Sequence, residues 1–456
     1  MVGIVQIPYK KSSLFYLSLL CGCALFSSQS FADTGFATQE KLLKNGLKVI
    51  VREDKRAPIT LVQMWYKVGS ADESGNLLGI SHVLEHMMFK GTNKVPNGEF
   101  ARLSRVYGGS VNAATFTNYT NYYQLYPAAY LPLALELEAD RMSNLNLKQD
   151  DFATEIKVVM EERRQRTDDN PRSLAFERFK WLAYPTSHYR NPIIGHMKNL
   201  QAIRLNDLKQ WYQTWYAPNN AILVVVGDVD ANKTFQLAEQ YFGKIPSRTL
   251  PARQDLKEFS NMGYRHMRVN MPVQVPNLLM AWNVNSLATS TNRKDALALA
   301  LMQSILDTGL SARFKTRLIR DQKLFTSTAV SYDLYNRGDT LFYISAIPES
   351  QLSLAQAEQH IKNEIDRFKT ELVSTDELKR VINMFISHYV YGQDTLIGQA
   401  KLIGNLEVNG LSHQLMDTLP AQFEDIKPQD LQRVARQYFV DDNLTSLHLL
   451  PSNQQP

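Results

Sequence analysis

The chain is predicted to be an α+β protein of two similar domains, each a mixed β-sheet with helices packed on one face. Three observations predict this. At 456 residues, with 44% hydrophobic and 21% charged residues, the chain has globular proportions but too much length for one core. Strand-like and helix-like segments mix without strict alternation, which argues against a doubly wound parallel sheet. The second half also faintly repeats the order of the first.

Residues 1–32 stand apart from the fold. Lys10 and Lys11 precede an apolar run over 14–26, and Ser30-Phe31-Ala32 forms a small-x-small cleavage signature. An export signal removed after Ala32 is the favoured reading. Leu20-Cys21-Gly22-Cys23 loosely resembles a lipobox, so a lipid anchor at Cys23 ranks second; the apolar Ala24-Leu25-Phe26 that follows counts against it. Both cysteines lie in this segment, so the mature chain is expected to hold no disulfide and no thiolate ligand. No later segment is apolar over the length of a bilayer, and no transmembrane span is expected in the mature chain. The net charge of +5 is mild and scattered, which gives no case for a nucleic-acid partner.

A first domain is read over 33–245. "LKNGLKVIVRED" and "ITLVQMWYKVGS" read as strands, the first alternating and the second nearly all apolar. A short helix carrying "HVLEH" follows, then a second near 98–107. "GGSVNAATFTNYTNYYQLY" pairs a glycine turn with a β-branched and aromatic run, the mark of a hairpin or edge strand. "LPLALELEADRMSNL" and "DDFATEIKVVMEERRQR" repeat apolar residues every three or four positions and read as helices, and "AILVVVGDVD" reads as a buried strand. Residues 246–263 turn polar and irregular, with two prolines, Pro246 and Pro251, and several charges, and are the linker candidate. The second domain, 264–456, then matches "VPNLLMAWNV" to the early strand and "ALALALMQSILDTGLSARF" to the first helix. "STAVSYDLYNRGDTLFYISAIP" matches the hairpin, and two long helices follow in the same order.

Chemistry concentrates in "GISHVLEHMMFKGT". His82 and His86 are four apart, so on a helix both imidazoles leave one face and can share a cation. Neutral imidazole is a good zinc ligand, and Glu85 stands close enough to take a proton from water at the metal's open position. A hydrolytic site needs a third ligand, usually a carboxylate. "EIKVVMEERRQR" places Glu155 and Glu162 seven apart on one stripe with the apolar residues, whereas Glu161 lies about 100° round the helix, beside Arg163 and Arg164. A carboxylate on an apolar stripe is costly without a cation, which makes Glu162 the preferred third ligand and Glu155 a support for an imidazole's other N–H. The bland alternative is a satisfied polar cluster in a core. HxxEH alone would arise by accident in about one chain of this length in a hundred, and the carboxylate pair makes accident a poorer account.

HxxEH is the inverse of HExxH and marks the inverzincins. With "LKNGLKVIV", "GGSVNAATFTNYTNYY", "LELEADRM", "EIKVVMEERRQR" and "YAPNNAILVVVGDVD", it resembles the pitrilysin/insulinase class of zinc metallopeptidases. That class includes mitochondrial processing peptidase subunits and bacterial periplasmic members. The resemblance covers nearly all of 40–230 and weakens beyond. It implies an exported, periplasmic zinc metalloendopeptidase whose two halves enclose a short or unfolded peptide. One Zn2+ would be held by His82, His86 and Glu162, with Glu85 as general base and Glu155 as supporting glutamate. It further implies that Asn112 and Ala113, in "SVNAATF", pair with the substrate backbone as an added strand.

The second half departs from the family pattern. Active members usually bring an Arg and a Tyr, seven apart, to the substrate carbonyl in text resembling LRExxGLxY. Here "LIRDQKLFTSTAVSY" keeps Arg320, but Ser327 holds the tyrosine's place and Leu324 the glycine's. Opposite His82, Glu85 and His86 stand Ala300, Gln303 and Ser304. The favoured reading is a heterodimer in which a sister subunit supplies the Arg/Tyr pair, ahead of a self-sufficient homo-oligomer. The rival from another class is a non-catalytic peptide-binding or assembly subunit. A serine hydrolase finds no GxSxG in the chain.

Overall fold

The computed structural model describes residues 37–96, 98–258 and 262–452. The export signal and the Cys23 anchor lie outside the described residues. The first half runs β1 (Thr38–Leu42), β2 (Lys48–Glu53), β3 (Ile59–Tyr66), α1 (Ile80–Met87), α2 (Glu99–Val106), β4 (Ser110–Thr115) and β5 (Thr120–Pro127). It continues with α3 (Leu131–Asn144), α4 (Gln149–Arg163), α5 (Pro171–Ala183), α6 (Met197–Ala202), α7 (Leu205–Trp215), β6 (Ala221–Gly227) and α8 (Ala231–Phe242). The second half runs β7 (Arg265–Met271), β8 (Asn277–Val284), α9 (Arg293–Asp307), β9 (Phe325–Tyr332), β10 (Thr340–Pro348) and α10 (Leu354–Thr370). It ends with α11 (Thr375–Tyr391), α12 (Leu396–Val408), α13 (Leu415–Glu424), α14 (Pro428–Tyr438) and β11 (Leu444–Pro451). None of the described helices is long and apolar enough to cross a membrane.

The two halves are similar α+β domains. The first sheet has the order β1-β2-β6-β3-β5-β4 and the second β7-β11-β8-β10-β9. With β1 set aside, each strand has a counterpart in the same place. The single parallel pair of each sheet, β2 with β6 and β7 with β11, also falls at the same position. The repeat that is faint in the sequence is therefore complete in topology.

Strand side chains alternate between two faces, and both faces of the first sheet are covered. Val49, Val51, Val62, Met64, Leu223 and Val225 meet a core that includes α1, α3 and α8. Their neighbours Ile50, Leu61, Trp65, Ile222, Val224 and Val226 face the other way, toward α12 of the second half. This double burial is why β6 is apolar throughout, without the polar alternation of a half-exposed strand. The exchange is reciprocal: Ala175, Phe179 and Ala183 of α5, from the first half, pack on Leu279, Ala281, Leu447 and Leu449 of the second sheet. Each sheet thus carries its own helices on one face, as expected, and one helix of the opposite half on the other.

Close contacts fasten this exchange. Gly404 of α12 lies so near Trp65 that a Cβ there would stand 2.1 Å from Trp65 Cε2. Glu407 Oε2 is 2.8 Å from Lys48 Nζ, and Gln399 joins Arg52 (3.0 Å) to Asp54 (2.9 Å). The connection over 246–263 forms no regular element where it is described, yet it is not a loose tether. Leu256 is buried beside Tyr189, and Glu258 accepts the backbone N–H of Ser187 at 3.0 Å.

Candidate metal centre

Helix α1 begins at Gly79, whose φ of +95° suits glycine and whose missing side chain leaves room for Ile194 O, 2.6 Å from where a Cβ would stand. The fully buried Glu73 accepts the N–H groups of Gly79 (2.6 Å) and Ser81 (2.9 Å) and so anchors the first turn. Burial pushes its carboxyl up to about 8 despite these donors. Four residues apart on this short helix, the His82 and His86 rings stand 4.8 Å centre to centre. Helix α4 packs against α1, so its polar stripe meets both rings.

Glu162 Oε2 lies 3.5 Å from His86 Nε2 and 3.8 Å from His82 Nε2. Tetrahedral zinc, with ligands at about 2.0–2.2 Å, spaces neighbouring ligand atoms by roughly 3.3–3.5 Å. The three residues therefore fit one divalent cation. Burial, with His86 and Arg166 nearby, lowers the His82 pKa to about 3, so its ring is neutral with a lone pair to offer. Glu155 Oε2 is 3.2 Å from His86 Nδ1, and its other oxygen is 2.5 Å from Lys90 Nζ. An Nδ1–H given to Glu155 turns the His86 Nε2 lone pair toward Glu162. Glu161, by contrast, is exposed and pairs with Arg164 at 2.7 Å.

Glu85 Oε2 accepts the Thr115 hydroxyl at 2.5 Å, and burial raises its pKa. Asn112 and Ala113 lie on β4, which pairs with β5 on one side only and leaves its other edge free in the sheet. That strand, the histidine pair, Glu85 and Glu162 line one cavity of about 1040 Å³. Arg320 is placed elsewhere, exposed on the π-helical turn Phe314–Asp321 and outside this lining; Ser327 lies on β9, the edge of the second sheet.

The far wall of the cavity was not anticipated from the sequence. Asn277, Tyr343 and Ser345 of the second sheet line it, as do Arg172, Phe176 and Lys180 of α5. Burial pushes the Tyr343 phenol up to about 12, against a hydrogen bond with Ser345. The only available signal was the four-residue spacing of Arg172, Phe176 and Lys180, which alone looks like any solvated helix face. Two further His/Glu sets converge among the described residues. In one, Lys48 already sits 2.8 Å from both Glu40 and Glu407. In the other, Glu358 is engaged by Ser446 (2.7 Å), Tyr264 (2.9 Å) and His448 (3.0 Å).

Comparison with known proteins gives consistent matches. The family described as insulinase (peptidase family M16) matches residues 48–196, and the M16 inactive domain matches 202–385, largely in the half without an HxxEH. A Helicobacter pylori protein named zinc protease PqqE is 32% identical over 418 residues, 90% of this chain and 92% of that one. The mitochondrial-processing peptidase subunit beta of Lentinula edodes is 25% identical over 431 residues, 91% of this chain and 90% of that one. Among solved structures, a Helicobacter pylori protease has a TM-score of 0.85 at 29% identity, covering 91% of this chain and 100% of that one. The periplasmic protease PqqL from Escherichia coli shares the fold, with a TM-score of 0.77 at 17% identity, over 91% of this chain and 48% of that one.

Proposed function

The chain belongs to the insulinase (M16) family of peptidases, and on that premise we propose that it is an exported zinc metalloendopeptidase acting on short or unfolded polypeptides. The observation that carries the reading is the meeting of Glu162 with the two imidazoles at 3.5 and 3.8 Å, beside Glu85 and a free strand edge. His82, His86 and Glu162 would hold one Zn2+, which when bound supplies Lewis acidity toward the scissile carbonyl and the attacking water. The metal-bearing domain is taken as 33–245 and its partner as 264–456, joined by 246–263.

The chain's own residues do the rest. The free edge of β4, at Asn112 and Ala113, takes the substrate backbone as an added strand and sets the scissile bond beside the ligands. Glu85 accepts a proton from the attacking water and returns it to the leaving amine. Thr115 fixes one Glu85 oxygen and leaves the other for water. Glu155 holds His86 in the tautomer whose Nε2 is free.

Export is supported by the charged and apolar N-terminal sequence and by a fold relative titled a periplasmic protease. Pairing with a sister subunit is supported by Ser327 standing where a phenol is expected, since one missing oxyanion donor costs about 10²–10³ in rate. Arg320 would then act on a carbonyl at a site completed by that partner, a homo-oligomer being the alternative assembly. Ser327 also favours the second reading, a peptide-binding subunit that does not cleave. Metal content measured beside hydrolysis of a quenched peptide separates the two. Glu85→Gln keeps the metal and loses turnover, whereas His82→Ala loses both; normal cleavage by Glu85→Gln refutes the mechanism.

A further inference from the structure

Helix α5 does two jobs. Ala175, Phe179 and Ala183 bury one stripe against the second sheet, and Arg172, Phe176 and Lys180 turn the adjacent stripe into the cavity that holds Glu162 and the histidine pair. Both stripes repeat every fourth residue, so each is a continuous row inclined by about 26° to the helix axis. Phe176 is 40% exposed, an unusual state for a phenylalanine whose ring already contacts Tyr343 at 5.4 Å. It presents an apolar surface inside the cavity.

The cations on either side of it have no carboxylate at ion-pair distance among the described residues. The acidic groups of the cavity are already committed. Glu162 Oε1 is 2.5 Å from Arg166, and Glu177 is taken by Arg163 (2.5 Å) and His196 (3.2 Å). Glu85 is bound to Thr115. That leaves Arg172 and Lys180 without a close carboxylate; Arg190 also lines the cavity, donating to Pro185 O and lying 4.9 Å over the Trp181 ring, with its Nε buried and unpartnered among the described residues. Burial lowers the Lys180 pKa to about 8, with Glu177 acting against the shift, as expected of an ammonium that lacks a close counter-ion.

Spacing indicates what this row would read. Four residues of α-helix rise about 6 Å, and two residues of extended strand advance about 6.6–6.8 Å. A row at i, i+4 and i+8 on a helix therefore keeps step with side chains at j, j+2 and j+4 of an extended peptide. Asn112 and Ala113 of β4 line the same cavity as this row of α5, so a peptide added at the β4 edge would lie in the space the row faces, with one set of alternate side chains available to it.

We propose that Arg172, Phe176 and Lys180 select extended substrates in which an apolar side chain is flanked, two residues away on each side, by carboxylates. The inference rests on the peptidase reading for its peptide and adds the class of peptide: acidic-x-apolar-x-acidic. Lysine- or arginine-rich segments are rejected by the same wall.

The test uses the full chain and two quenched peptides identical except for Glu-x-Phe-x-Glu against Lys-x-Phe-x-Lys. The wild type is expected to favour the acidic peptide at least about tenfold in kcat/KM. That margin should shrink between about 50 and about 500 mM salt. Arg172→Gln with Lys180→Gln should erase the preference, and Arg172→Glu with Lys180→Glu should reverse it. A parallel arm measures binding of the same labelled peptides to Glu85→Gln by anisotropy. Absence of cleavage with the acidic peptide still bound at least about tenfold tighter sinks the peptidase reading and keeps the subsite. Equal treatment of the two peptides in both arms, or a preference that survives the glutamine pair, overturns the proposal.

Discussion

Replacing Glu407 with glutamine should weaken the seam between the two halves and flatten the acid sensitivity of the fold. Glu407 sits on α12, where it accepts Lys48 Nζ of β2 (2.8 Å) and the backbone N–H of His413 (2.9 Å), with His413 Nδ1 at 2.8 Å. Burial opposes its charge, but the hydrogen bonds from His413 and Lys48 outweigh that and hold the carboxyl at about 2, down from 4.5. A lowered carboxyl binds protons less readily in the folded chain than in the unfolded one. Its stabilisation is therefore present above the unfolded value of 4.5 and lost as pH falls toward 2. At about 1.4 kcal/mol per pKa unit, a shift of this size is worth about 3 kcal/mol at pH 7, of which about 2 kcal/mol is gone by pH 3. Urea unfolding of wild type and Glu407→Gln at pH 7, 5, 4 and 3 reads it directly. The two stabilities should differ by a few kcal/mol at pH 7 and converge toward pH 3. A difference that stays constant across this range refutes the assignment.

Three further perturbations test the site and its supports. Glu155→Gln, which weakens the acceptor for His86 Nδ1 without touching a ligand, should lower zinc affinity about 10–100-fold in a chelator competition. Gly79→Ala meets both a φ of +95° and the Ile194 carbonyl, so it should destabilise the start of α1 by at least about 1–3 kcal/mol, read as a lower Tm and reduced metal content. Gly404→Ala pushes a methyl into Trp65; it should quench or shift tryptophan fluorescence and cost about 1–3 kcal/mol in denaturant, the usual penalty of overpacking.

How legible each part was depended on whether its signal was local. His82, Glu85 and His86 share one short helix, and Glu155 and Glu162 share another, so helical period alone grouped side chains that the fold also brings together. Strands β3 and β6 were legible because burial on both sides writes an apolar run, unbroken in β6 and interrupted in β3 only by Thr60 and Gln63. Strand β1, "TQEKL", was missed because it pairs only with β2 and its side chains are mostly exposed, which leaves no hydrophobic signature. Period shows which face of α5 or α12 is apolar, but not which surface covers it, so the exchange of helices between halves could not be read. The cavity's far wall was hidden for the same reason. Tyr343 and Ser345 belong to an ordinary alternating strand until the second sheet is set opposite the histidines. Residues 246–263 read as irregular, and those of them that are described form no regular element, but composition carried no sign that Leu256 would be buried.

The exchanged helices impose an order of events on a chain that emerges from its N-terminus. The six-stranded sheet is complete in sequence once β6 ends at Gly227, yet the face holding Trp65 and Val224 stays bare until Leu396–Val408 has been made. An early fragment cannot hide that surface with its own residues, and the last closure joins partners more than 300 positions apart in the chain. During that interval the chain carries a greasy, unfinished platform, the kind of transiently bare surface that makes large multi-part proteins prone to aggregate before they close.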